Sequence, residues 1–208
     1  VADVELRTFT FLDSMQPQFA SFLGTTARGY LPVEYQAALF VEIAPGIAIN
    51  KLTDVALKKN NVQPGVQVVE RAYGLLEIHS ESQAEVRSAG EEILRSVGLT
   101  EKDRLKPKVM SSQIITNIHP YQAQLINRVR FGNMLLGGHT LYILEVHPAG
   151  YAVLAANEAE KASPVSLIDM QMFGAFGRLY LGGSESEIAE AVPAVLNALQ
   201  GVDGRENK

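Results

Sequence analysis

The first residues with chemistry to offer are the four histidines, His79, His119, His139 and His147. None opens or closes an H-E-x-x-H run, so no helical zinc site is spelled out, and positions on the surface or in turns account for them. Glu77 and His79 stand two apart in a strand-like run. That spacing puts both on one face, where they can act as an acid/base pair, although a solvated strand face explains them equally well. There is no G-x-S-x-G elbow, Walker loop or dinucleotide fingerprint. Gly137-Gly138 and Gly182-Gly183 read as turns. The second precedes a helix start at Ser184 that can hold an anion, with a plain turn as the simpler reading. The chain has no cysteine, which excludes disulfides, thiolate metal sites and thiol nucleophiles. No constellation for catalysis emerges, and neither a metal nor a cofactor is expected.

The elements that must position these residues come in two copies. Slid against itself by about a hundred residues, the sequence falls into register, a period that means a duplicated domain rather than a solenoid of small units. Pro17 meets Pro120, Ala20 meets Ala123, Gly29 meets Gly132, and Glu42 and Pro45 meet Glu145 and Pro148. Lys58 and Val62 meet Lys161 and Val165, and Ala72, Gly74 and Leu76 meet Ala175, Gly177 and Leu179. After a one-residue deletion, Ser82, Glu85, Ala89 and Leu94 meet Ser184, Glu187, Ala191 and Leu196.

In each copy the pattern is that of a small α/β unit. ELRTFTFL, from Glu5, alternates and is rich in β-formers; its counterpart from Lys108 alternates more weakly. Ala37 to Ile43 and Leu141 to Val146 are short apolar runs ended by proline, as in buried strands. Helical patterns follow over Ile47 to Lys59 and Tyr151 to Ala162, then strands over Val66 to Val69 and Val165 to Met172 and from Gly74 and Gly177. Ser82-x-x-Glu85 and Ser184-x-x-Glu187 are capping boxes opening the last helix of each copy. The expected boundaries are a first domain over 4–98, a charged linker over 99–107, a second domain over 108–200 and a disordered tail over 201–208.

The copies differ at the turn before the last strand. The first reads Glu70-Arg71 where the second reads Phe173-Gly174, between matching flanks. As residues alone, these read as a drifted loop with a solvated Glu and Arg. A formal net charge of −5 and scattered Lys and Arg give no case for a nucleic-acid partner. No run approaches the ~18 apolar residues of a membrane helix and no secretory segment opens the chain, so a cytosolic protein without a membrane partner is expected.

Longer stretches carry a resemblance. FVEIAPGIAINKLTDVALK, VVERAYGLLEIH, LEVHPAGYAVLAANEAEKA and FGRLYLGG, with RTFTFLDSMQPQFASFLGT at the start, resemble the tandem-domain, circularly permuted shell proteins of bacterial microcompartments. Within these, the chain is most similar to the carboxysome subgroup whose trimers stack in two layers. The resemblance implies an α/β (α+β) fold duplicated in tandem, and a non-enzymatic trimeric tile whose six domains mimic a hexamer in the carboxysome shell. Its partners would be itself, other shell proteins and small anionic metabolites crossing a gated central pore. It implies that Glu70 and Arg71 line that pore, with Phe173 and Gly174 at the corresponding place in the second domain. It also implies that Lys58 and Lys161 lie at tile edges, where Asn157 in the second copy replaces Asp54 of the first. The alternative is an oligomer of the same tandem fold that binds or senses a small molecule without building a shell.

Overall fold

The computed structural model of the chain describes residues 4–207. They divide into two compact units, one formed by the described parts of 1–106 and 203–208, the other by 107–202. The first unit runs β1 (Glu5–Leu12), α1 (Pro17–Thr26), β2 (Ala37–Ala44), α2 (Ile49–Lys59), β3 (Gln63–Glu70), β4 (Tyr73–Ser80) and α3 (Gln83–Val97). The second repeats the order with β5 (Lys108–Ile115), α4 (Pro120–Asn127), β6 (Thr140–His147), α5 (Ala152–Ala162), β7 (Ser166–Gln171), β8 (Gly177–Gly183) and α6 (Glu185–Gln200). Each unit has one antiparallel four-stranded sheet, ordered β1-β2-β4-β3 and β5-β6-β8-β7.

Side chains alternate along a strand, so each sheet has two distinct faces. In the first unit, Leu39, Val41 and Ile43 of β2 share a face with Leu76 and Ile78 of β4. They cluster there with Ile49, Leu52 and Ala56 of α2 and Val86, Ala89 and Ile93 of α3. Burying these faces is the main driving force for the unit. On the opposite face, Phe40 meets Phe19 of α1 edge-on, with ring centroids 6.0 Å apart. Helices therefore cover both sides of β2, which explains its burial along the whole strand.

α1 and α4 are absent from the sequence-based reading. Both open on proline at the first turn, where a missing N–H costs nothing. Phe19, Phe22 and Leu23 of α1 are the buried i, i+3, i+4 positions.

The two capping boxes are not equal. At α6, Ser184 Oγ accepts from the Glu187 amide and the Glu187 carboxylate accepts from the Ser184 amide. At α3, Ser82 Oγ accepts from the Glu85 amide, but the Glu85 carboxylate turns to the Asn61 amide at 2.6 Å. Glu85 thus ties the loop after α2 to the start of α3. Gly98, left-handed at φ 70°, ends that helix as its sequence position suggests.

Residues 99–107 and 201–207 do not behave as linker and loose tail, and the last residue of the expected tail, 208, lies outside the described residues. Glu101–Asp103 form a 3₁₀ turn boxed by Thr100 and Asp103, and Leu105 is buried. Arg205 bridges Leu105, and its amide donates to the Arg104 carbonyl at 2.7 Å. Its guanidinium donates to the Asp103 carbonyl at 2.7 Å and lies 3.4 Å from Glu5 Oε1. Charged composition misled the reading here, because these charges pair with one another instead of only with water. Arg205→Ala is expected to cost about 1–2 kcal/mol in urea unfolding, the scale of lost hydrogen bonds to a charged group. Unchanged stability would mean that the Arg205 side chain contributes nothing to holding the unit together.

Candidate functional site

The two divergent tips occupy equivalent hairpins, each within its own unit. In the first, Glu70 pairs with Tyr73, leaving a two-residue turn of Arg71 and Ala72. Arg71 has φ 54°, a left-handed conformation usually left to glycine at such turns. In the second unit the strands part earlier, at Gln171 and Arg178, and the loop is longer. There the left-handed residue is Gly174, at φ 100°. The chain thus puts an arginine and a glycine into the same backbone region at matching places. The Gln171 side-chain amide donates to the Phe173 carbonyl at 3.2 Å, which steadies the wider loop.

Arg71 points away from its unit. Its side chain is 92% exposed and its Nε lies 3.8 Å from Glu70 Oε1, too far for a hydrogen bond. An exposed pair at this distance holds the side chain only weakly.

The backbone beneath the tip is held firmly. A Cβ on Gly74 would come within 2.3 Å of the Gly46 carbonyl oxygen, and the Gly46 amide donates to the Ala72 carbonyl at 2.8 Å. Gly177 approaches the Ala149 carbonyl as closely in the second unit. Tyr73, beside the turn, is clamped as well. The Arg7 guanidinium stacks 3.6 Å from its ring centroid while its Nε donates to Glu42 Oε1 at 2.9 Å, and both charged groups are buried. Arg7 reaches them because it falls in a bulge between Leu6 and Thr8. The result is an exposed, weakly coupled pair of side chains on a firmly held turn.

The helix lysines differ in their surroundings. Lys58 on α2 is 71% exposed and pairs with Asp54 at 2.7 Å. Lys161 on α5 is 30% exposed and pairs with Glu158 at 3.0 Å, because Asn157, fully buried, supplies no charge at the matching position.

Glu77 and His79 are brought together, but not on a solvated face. Both are wholly buried, with His79 Nδ1 2.9 Å from Glu77 Oε1. Glu77 Oε2 accepts from the Gly65 amide at 3.0 Å, an amide set free by a bulge between Pro64 and Val66. A Cβ on residue 65 would meet that oxygen at 2.4 Å. Gly65 and Pro64 carbonyls in turn receive the amides of Arg28, Gly29 and Tyr30, so the pair supports the loop after α1. Burial pushes the Glu77 carboxyl above its ordinary range, against the hydrogen bonds from His79 and the Gly65 and Val66 amides. Enclosed in this way, the pair has no access to a substrate. Of the other histidines, His119 caps α4 by accepting from the Tyr121 amide, His139 is exposed and His147 half-buried. Among the described residues no group of three or more potential ligands could hold a metal ion, and no helix is long and apolar enough to cross a membrane.

Residues 6–103 match the family model described as the CsoS1D N-terminal domain. Across 204 residues the chain is 54% identical to the carboxysome shell protein CcmP of Synechococcus elongatus, covering 98% of this chain and 96% of that one. The chain belongs to the carboxysome shell protein family. Another family member, carboxysome shell protein CsoS1D of Hydrogenovibrio crunogenus, is 47% identical over 198 residues, 95% of this chain and 97% of its own. The duplicated permuted fold is likewise shared with two solved structures from the RMM microcompartment. One is the fused permuted hexameric shell protein MSM0275, with TM-score 0.94, 45% identity and coverage of 97% and 99% of the two chains. The second is the double ringed trimeric shell protein MSM0271, with TM-score 0.95, 43% identity and coverage of 98% and 100%.

Arg71→Gly is expected to raise unfolding stability by about 1 kcal/mol, since it removes the left-handed penalty and sacrifices no packing. An unchanged or lower stability would show that the turn carries no strain. Glu77 holds its proton to higher pH folded than unfolded, so its contribution is fully present at pH below the ordinary range of an unfolded glutamate. That contribution is lost as pH rises through the raised native pKa. Glu77→Gln cannot ionise, so the stability difference between wild type and variant should fall as pH rises above that point. A difference flat with pH would sink this assignment.

Proposed function

We propose that the chain is a structural tile of a carboxysome-type shell, assembled as a trimer around a pore that Glu70 and Arg71 line and gate. The observation carrying this reading is the Glu70-Arg71 turn: fixed backbone, left-handed arginine, exposed and weakly paired side chains. Three guanidinium groups near one axis repel, the more so where water is sparse. A neighbouring Glu70 either offsets that charge or leaves it facing the axis, which gives two side-chain arrangements. With Arg71 on the axis the opening favours small anions. Phe173 and Gly174 serve at the corresponding second tip, where an uncharged side chain adds no repulsion.

Nothing in this role requires turnover, and the buried Glu77–His79 pair is structural in it. Lys58 and Lys161 serve at tile edges, with Lys58 the more accessible for contact with a neighbouring tile. Each unit has exposed apolar side chains available for stacking two trimers. Tyr30, Leu31, Val33 and Tyr35 of the first unit are 62%, 62%, 55% and 62% exposed, and Met134 and Leu136 at matching places in the second are 58% and 48%. Apolar clusters of this kind mark association surfaces. The tile would thus reside in the shell, in contact with itself and with other shell proteins.

Light scattering after gel filtration tests assembly. With a chain mass of 22.6 kDa, a trimer gives about 68 kDa and a stacked pair about 136 kDa. A clean monomer would overturn the tile. Crystals of the Glu70→Ala/Arg71→Ala double variant test the gate: only an open pore is expected, and a closed one would defeat the gating role.

A further inference from the structure

The units differ sharply on the sheet face that lies against α1 and α4. In the first unit this region is filled: Phe22 and Leu23 of α1 are 3% and 0% exposed, and Val66 on β3 and Leu75 on β4 are each 1% exposed. At the matching places the second unit has Leu125 and Ile126 on α4, Asp169 on β7 and Arg178 on β8. Phe22 has become the smaller Leu125, which is 64% exposed, and an open groove of about 350 Å³ runs beside it. That size lies at the lower end for small-molecule sites.

Its floor is a square of polar side chains set by strand register, with Asp169 opposite Tyr180 and Gln171 opposite Arg178. Its wall is apolar, formed by Leu125, Ile126 and Val129. Arg178 spends its Nε on Glu145 Oε2 at 2.9 Å, and Asp169 Oδ1 accepts from the Phe131 amide at 3.3 Å. The terminal nitrogens of Arg178, the Gln171 carbonyl oxygen and the Tyr180 hydroxyl make no bonds among the described residues, so donors and acceptors both face the space.

Charge narrows the ligand. Glu145 already neutralises Arg178, and Asp169 adds a second carboxyl, so an incoming anion gains no net attraction. Burial holds the Asp169 carboxyl above its ordinary range, which weakens the pull on a cation too. Mixed donors and acceptors around an apolar wall suit hydroxyl groups on a short carbon skeleton. We propose that this open groove, between α4 and the β7–β8 hairpin, binds a small uncharged polyol or sugar. The site is independent of whether the pore gates.

Ligand-observed NMR on the assembled full chain tests it, with xylitol and D-ribose as neutral probes and D-glycerate and inorganic phosphate as anionic ones. Saturable binding of a neutral probe is expected, stronger than either anion. Leu125→Phe, which adds bulk at the wall of the groove, should weaken that binding at least about tenfold, as should Asp169→Val/Arg178→Leu, which restores the first unit's residues. Light scattering on each variant separates loss of the site from loss of assembly. No binding of either neutral probe, a preference for the anions, or undiminished binding in Leu125→Phe at wild-type mass would each overturn the proposal.

Discussion

The close approach of two backbones at Gly46 and Gly74 is the constraint on which the first unit's tip depends. With no Cβ on either residue, the turn after β2 and the start of β4 lie nearly in contact, and the Gly46 amide reaches the Ala72 carbonyl. The turn is therefore placed by main-chain packing, and its side chains carry no load in positioning it. That separation leaves Glu70 and Arg71 free to be chosen for what they present to their surroundings. The second unit keeps half of this arrangement, Gly177 against Ala149, and spends the freedom differently, on a longer loop with Phe173 and Gly174.

Duplication makes each unit a control for the other. Glu42 and Glu145 stand at the same place on β2 and β6, yet their cations come from different strands. Arg7 reaches Glu42 from a bulge in β1, whereas Arg178 reaches Glu145 from β8. The need to compensate a carboxylate on the sheet has been met twice by different routes. The choice has a further effect: placing the arginine on β8 makes that part of the second sheet polar, where Leu75 keeps the first apolar.

Much of this architecture was legible in the sequence. The repeat located both sheets, since Ala37 to Ile43 and Leu141 to Val146 could pack as buried strands and did. Helix starts at Ser82 and Ser184 followed from side-chain chemistry within four residues. What escaped depended on partners distant in sequence. α1 and α4 are short, and their apolar spacing means little without the sheet face that Phe19 meets. His79 looked solvated because nothing nearby in sequence announces that it is buried beside Gly65. Arg205 looked like tail because its partners, Asp103 and Arg104, lie about a hundred residues back. At the tip, residue types alone favoured a drifted loop; the left-handed φ shared by Arg71 and Gly174 is a conformational likeness that unlike side chains concealed.

The pairing of Arg205 with Leu105 also has a mechanical meaning. It brings the chain back to the first unit after the whole second unit has been threaded out, closing a loop of about a hundred residues at an entropic cost on the order of 4 kcal/mol. Tension applied at the chain's ends is borne first by this clasp and by β1, next to which it sits, while the second unit hangs in a closed loop outside the line of force. Pulled at its ends, the chain opens at Arg205 before the second sheet feels any load, and the clasp closes again once the pull is released.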